Sequence, residues 1–221
     1  SSGGQRTVTQ TVIGTTQVTT TPTPTVALPD TVTIAFSGDI TTLEPHGINR
    51  NMILESPHSA IFDRFIDQGR DLKFVPGVLE EWNWGPDRMS MDIRVRRGVL
   101  FHDGTPLTSD DIDFSVKRIS RDGMAYAGVF RTIDEIEIKD QYNLRFIFSR
   151  YDPSIFVWLG FLNAFVVPKE YVSKVGDEKF GTEPIGSGPY KVRRFLPGRL
   201  LELEAFEDHW RGVPPIRRVL I

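Results

Sequence analysis

The chain contains no cysteine. That absence excludes disulfide frameworks, thiolate metal sites and thiol nucleophiles together. An excess of positive charge is also missing. The 26 Lys and Arg against 29 Asp and Glu leave a net charge of −3, too little to hold nucleic acid or an anionic membrane surface by a bulk field. No run approaches the roughly 18 to 20 consecutive apolar residues of a membrane span. No charged leader followed by an apolar stretch is present. Charge is scarcest at one end: the first 29 residues hold one charged side chain, Arg6, while the first 25 hold ten threonines.

What is present is ordinary soluble material, 221 residues with 39% hydrophobic and 25% charged side chains, enough for one large domain or two small ones. Residues 1–29 stand apart. Their Val and Ile follow no helical period, and Pro22 and Pro24 fix φ within a Thr-Pro-Thr-Pro core. Such a stretch buries too little apolar surface to offset its ordering entropy and reads as an extended tether. A weak alternation from Thr7 to Val18 leaves an edge strand as the alternative.

Beyond the tether, Thr31 to Phe36 alternates like a half-buried strand. Ser56 and Pro57 resemble a helix start, with Ile61, Phe62, Phe65 and Ile66 as its apolar face. Met89, Met91, Ile93 and Val95 alternate with polar residues and predict a strand. Thr108 and Asp111 form a capping box with Asp in place of Glu, ahead of Ile112, Val116 and Ile119 at helical spacing. Ile136 and Ile138, a turn at Asp140 to Asn143, and Leu144, Phe146 and Phe148 predict a hairpin. Pro153 to Leu162 reads as a short buried helix and Lys169 to Val175 as another. Tyr190 to Phe195 is expected to pair with Leu200 to Phe206 across Pro197-Gly198, and Ile216 to Ile221 to form a strand interrupted in mid-element. Strands and helices mix without a βαβ repeat, so the class is α/β of the mixed α+β kind.

No catalytic constellation emerges. His102-Asp103 could pair a base with an orienting group, but Asp103-Gly104 is turn chemistry. His46, His58 and His209 lack the spacing of a metal set. Gly186-Ser187-Gly188-Pro189-Tyr190-Lys191 lacks the third glycine of a dinucleotide loop, and Ile185 stands where a serine-nucleophile elbow requires glycine. The pairs Glu80-Glu81 and Asp110-Asp111 read as solvated or capping residues, and Trp82, Trp84, Trp158 and Trp210 as packing residues.

Taken in order, these strings resemble the extracellular solute-binding proteins of family 5, the peptide- and nickel-binding components of ABC importers. Leu43-Glu44-Pro45-His46 is similar to the family's Leu-Asp-Pro-His element, and Val75 to Trp82 to its "P-x-L-A-E-x-W" stretch. Arg94 to Ile119 resembles the signature strand, "R-x-G-V-x-F-H-D-G" turn and capped helix. Pro184 to Tyr190 resembles "P-x-G-T-G-P-Y", and His209 to Gly212 resembles "Y-W-x-G". The resemblance implies a two-lobed, type II periplasmic-binding-protein fold, of which this chain would be an N-terminal portion. Residues 30–49 and 168–221 would belong to lobe I and residues 50–167 to an inserted subdomain.

It further implies non-enzymatic capture of a peptide or another small solute without a cofactor, and delivery to permease subunits of an ABC transporter. The residues expected to line the cleft are Phe36, Ser37, Gly38, Ile40 and Thr41. No metal or nucleic acid is expected. The Ser-Ser-Gly-Gly start and the Thr/Pro stalk resemble the segment after the lipid-modified cysteine of an exported lipoprotein, implying an extracytoplasmic location and an anchor upstream of Ser1. An exported hydrolase using His102 and Asp103 and a stalked cell-surface adhesion module are the alternatives.

Overall fold

Two sets of alternating residues build two separate sheets. In the computed structural model, which describes residues 29–35, 38–47, 55–160 and 164–221, the elements follow in chain order. They are β1 (Thr31–Thr33), α1 (Glu55–Ile61), β2 (Ile66–Gln68), β3 (Phe74–Pro76), β4 (Leu79–Trp84), β5 (Ser90–Val95), α2 (Ser109–Ile119), α3 (Ala127–Phe130), β6 (Ile133–Asp140), β7 (Asn143–Phe148), α4 (Ile155–Leu159), α5 (Lys169–Thr182), β8 (Tyr190–Leu196), β9 (Leu200–Ala205) and β10 (Arg218–Leu220). The tether expected over residues 1–29 lies outside the described residues except for Pro29.

The second half of the chain supplies most of the first sheet, in the order β1-β10-β9-β8. β1 pairs parallel to β10, with Val32 opposite Val219, and the remaining pairs are antiparallel. The other large sheet, β4-β5-β7-β6, is antiparallel throughout. Its register sets Met91 opposite Phe146 and Ile93 opposite Leu144, so four fully buried side chains meet on one face. α2 covers that face through Ile112, Val116 and Ile119. Around the first sheet a separate core gathers Leu43, Ile61, Phe62, Phe165, Val167, Phe180, Leu201 and Leu203.

The predicted β5, the β6–β7 hairpin, the capped α2 and the β8–β9 hairpin all form. Other elements differ from expectation. β1 is three residues long, and Ile34 beyond it is exposed. Among the described residues helix α1 spans Glu55–Ile61 and stops there, so Phe65 and Ile66 do not extend its apolar face. The reason is competition from strand pairing: Arg64 bridges Phe165, the Leu79 N–H donates to the Phe65 carbonyl, and Ile66 enters β2. Among the described residues the apolar run at Pro153 forms α4, which leaves Val157 exposed while Ile155 and Leu159 are buried; residues 161–162 of the expected helix lie outside the described residues.

The helix expected to end at Val175 continues to Thr182 across a kink at Gly176 (φ 79°), a backbone conformation that favours glycine. Strands β2, β3 and β4 and the short α3 have no counterpart in the sequence reading. They lack the long alternation that marks β5.

Helix α1 meets the first sheet through backbone. The Gly188 N–H donates to the Ile61 carbonyl at 2.9 Å, and a Cβ on Gly188 would lie 2.6 Å from that carbonyl carbon. Gly188→Ala should therefore lower unfolding stability by about 1–3 kcal/mol in a urea titration. Gly128→Ala, inside α3 with open space around it, should leave stability unchanged or raised by up to about 1 kcal/mol.

Candidate functional site

The segment 38–47, joining β1 to the rest of the fold, is fixed from both sides. The Leu43 N–H donates to the Gly181 carbonyl at 2.7 Å, and Leu43 is fully buried. Glu44 accepts two charge-assisted hydrogen bonds from the buried Arg118 of α2, both 2.6 Å, in a bidentate pair. The same guanidinium donates to Asp177 of α5 at 2.8 Å. Burial alone would lower the Arg118 pKa, but Glu44 and Asp177 outweigh it and hold the group above its usual range. Asp177 is pulled below the usual carboxylate range, the guanidinium overcoming its partial burial. The Glu44 carboxylate also accepts the His46 N–H at 2.8 Å, and the His46 Nε2–H donates to the Phe165 carbonyl at 2.8 Å.

Beside this clamped segment lies a groove of about 190 Å³. It is lined by Gly38, Asp39 and Ile40 on one side and by Gly198, Arg199 and Leu200 of the β8–β9 turn on the other. The Gly198 N–H donates to the Ile40 carbonyl at 2.7 Å and fixes the two walls together. Of the expected cleft residues, Gly38 and Ile40 border this groove. Ile40 is buried and belongs to the core beneath it, while Thr41 is exposed. Phe36 and Ser37 lie outside the described residues.

A larger groove of about 470 Å³ runs between the Asp103-Gly104 turn and the starts of α2 and α5. Several of its charges are already engaged. Lys169 Nζ pairs with Asp110 at 2.7 Å, and Asp103 accepts bonds from Thr105 within its own turn. The buried Asp111 accepts the Thr108 and Lys169 backbone N–H groups, each at 2.9 Å. Burial nevertheless pushes its carboxyl above the usual range.

His102 has no nitrogen free for a substrate. Its Nδ1 accepts the Gly186 N–H at 3.2 Å and its Nε2–H donates to the Gly188 carbonyl at 2.9 Å, while Asp103 turns into its own loop. The dyad that a hydrolase would need is not assembled; His102 instead ties the two motif turns together. Burial pushes its pKa down to about 4. The guanidinium groups of Arg96 and Arg211 both lie over the Trp210 ring, at 4.5 and 4.2 Å from its centroid, and its Nε1–H donates to the buried Asp63 at 3.1 Å. Among the described residues no group of three or more His, Asp or Glu side chains could hold a metal ion. The ionic roles of Glu44 and Arg118 were not read from sequence, because helical spacing alone does not distinguish Arg118 from a solvated residue.

A mixed α/β lobe of the periplasmic-binding-protein kind is what this architecture defines. The chain belongs to the bacterial extracellular solute-binding proteins, family 5, whose middle-region profile matches residues 73–221. It is 23% identical over 209 residues to the probable ABC transporter periplasmic-binding protein SapA of Escherichia coli, covering 84% of this chain and 38% of that protein. It is 29% identical over 134 residues to the oligopeptide-binding protein AppA of Bacillus subtilis, covering 57% and 24%. Among solved structures, the binding protein MoaA of A. tumefaciens R10 in complex with mannopinic acid superimposes with a TM-score of 0.78 at 25% identity, covering 86% of this chain and 39% of that one. The chain thus spans well under half the length of these relatives.

The clamp and the buried histidines each carry a measurable consequence. Glu44→Gln leaves Asp177 as the remaining charged partner of Arg118 and should cost about 1–3 kcal/mol of unfolding stability, whereas Glu44→Leu combined with Arg118→Met should recover most of it. Burial, first of its causes, lowers His46 to about 3 and His58 to about 4, like His102, against 6.5 when unfolded. Below pH 6.5 the unfolded chain therefore binds more protons than the folded one. Stability should be highest above that pH and fall towards pH 4 by up to about 1.4 kcal/mol per pH unit per histidine. Denaturant titrations across that range check this, and His102→Gln should reduce the slope.

Proposed function

We propose that the chain forms part of an extracytoplasmic receptor that captures a peptide or a similar small solute in a cleft and hands it to the permease of an ABC transporter. The observation that carries this reading is the family match over residues 73–221 on a fold shared with solved binding proteins. The relatives named as oligopeptide- and dipeptide-binding proteins support peptides as the solute class. No bond is broken in this reading, which is consistent with a His102 whose nitrogens are both engaged.

In the same proposal the ligand-binding lobe comprises residues 30–49 and 168–221, and the sheet β4-β5-β7-β6 belongs to an inserted subdomain. The parallel pairing of β1 with β10 supports that division. Ile61 and Phe62, within the expected subdomain range, pack with the first sheet's core. The cleft edge lies at Gly38, Ile40 and Thr41, with Phe36 and Ser37 leading into it. The Thr-rich residues 1–29 act as a stalk, following an upstream lipid anchor.

Titration calorimetry of the full chain against di- to pentapeptides tests the reading. Saturable binding is expected, with the peptide recovered at unchanged mass. Turnover that disappears in His102→Ala would favour a hydrolase, and binding only to a macromolecular surface would favour an adhesion module.

A further inference from the structure

β6 is the longest strand among the described residues and stands at the edge of its sheet, paired with β7 alone. Its register shifts fall near its two ends, between Ile133 and Glu135 and between Ile138 and Asp140, so the stretch between them is regular. No backbone hydrogen bond from outside the sheet reaches Asp134 to Lys139 among the described residues. Such an edge offers a row of open N–H and C=O groups.

Its side chains sort by face. Glu135 and Glu137 stand opposite Ile147 and Arg145 on the outer face, and Ile136 and Ile138 stand opposite Phe146 and Leu144 on the core face. Ile138 is 42% exposed at the edge of that core face. A groove of about 540 Å³ runs between the strand and α2, bordered by Val116, Ser120, Ile133 and Ile136. The cations beside it are engaged: Lys117 by Asp113, Arg131 by Asp122, and Lys139 and Arg145 by Asp92. Asp134, Glu135 and Glu137 are exposed and form no ion pair among the described residues. The other edges of the two large sheets differ. Glu80 and Glu81 of β4 pair with Arg94 and Arg96, Lys191 and Arg193 of β8 pair with Glu204 and Glu202 and leave Arg194 single, and β1 carries no charge. A run of open charges of one sign along an open edge is particular to β6.

We propose that β6 is a docking edge for an extended segment of a partner protein in which Lys or Arg alternates with apolar residues, added to the sheet as a fifth strand. Backbone hydrogen bonds supply the attachment, as in strand addition generally. Cations of the segment meet Glu135 and Glu137 on the outer face, and its apolar side chains lie beside Ile136 and Ile138 over the groove. The partner has to alternate because successive side chains of a strand point to opposite faces. A second copy is a poor occupant. Antiparallel pairing of two β6 strands centred on Ile136 sets Glu135 of each against Glu137 of the other, and like charges directly opposite are destabilising. The same carboxylates thus bar self-pairing and select a basic partner.

The test uses the full chain and three hexapeptides with blocked termini: alternating Lys-Val, alternating Glu-Val, and Lys-Val N-methylated at every residue. Affinity is read by titration calorimetry and the outward amides of β6 by hydrogen exchange. The Lys-Val peptide should bind and slow exchange at those amides, and the other two should do neither. Combining Glu135→Gln with Glu137→Gln should weaken the Lys-Val peptide about 2- to 30-fold, the range of two opposite-charge cross-strand pairs. Equal binding of the methylated peptide reduces the contact to charge alone and overturns the inference. So does an unchanged affinity in the double variant, or binding that leaves β6 exchange unaltered, as capture in the receptor's cleft would. Slow exchange at the outward amides of the free protein means that the chain itself or a second copy already covers the edge. That result, or no binding of the Lys-Val peptide, overturns the inference and leaves the receptor reading standing.

Discussion

One buried guanidinium decides how the loop after β1 is held. Arg118 joins segments remote in sequence: Glu44 from that loop, its own helix α2, and Asp177 beyond the kink in α5. Burying such a charge is costly unless it is well paired. Here Glu44 and Asp177 engage both terminal nitrogens in a geometry that the point charge of a lysine would not reproduce, while the buried Nε has no partner. The Gly176 kink belongs to the same arrangement, because it redirects α5 so that Asp177 reaches Arg118 while Phe180 packs in the core below. Gly181 then receives the loop through its carbonyl. The wall of the small groove at Gly38 to Ile40 is thus positioned by an ion pair several residues away.

The seam between the two sheets relies on different physics. Each core is apolar, but the contacts that cross between them are largely polar and close. The His102 ring and N–H bond the Gly186 and Gly188 backbones, and the buried Ser115 of α2 accepts the Val167 N–H. Neutral imidazole suits such a place, since it offers one donor and one acceptor without a charge to desolvate. The glycines are required by proximity rather than by backbone freedom, because any side chain at Gly188 would meet Ala60, Ile61 and Phe62 backbone atoms.

Much of the secondary structure was legible, and the failures share a cause. Alternation at Met91, Ile93 and Val95 and the box at Thr108 and Asp111 are local signals, and the structure keeps them. Phe65 and Ile66 continue a helical spacing, yet pairing with residues far along the chain takes them into extended structure. Short-range periodicity cannot register that competition. The family was legible from motif strings because turns such as His102-Asp103-Gly104 constrain backbone geometry tightly. The clamp was not, since Glu44, Arg118 and Asp177 are separated by long stretches and nothing local to Arg118 shows that it is buried.

The strings richest in chemistry prove to be those with the least chemistry left to offer. His102 is occupied by neighbouring backbone and Asp103 by Thr105, Trp210 carries two arginines on its ring, and Glu44 is committed to Arg118. Residues that specify a fold through hydrogen bonds use up their bonding capacity in doing so. A receptor that works by reversible capture needs the opposite property, groups positioned by backbone whose own donors and acceptors remain open. Among the residues bordering the small groove, Asp39 and Arg199 form no ion pair with a described residue, and neither belongs to a recognisable motif. Recognisable motifs therefore mark the scaffold rather than groups whose chemistry is still open.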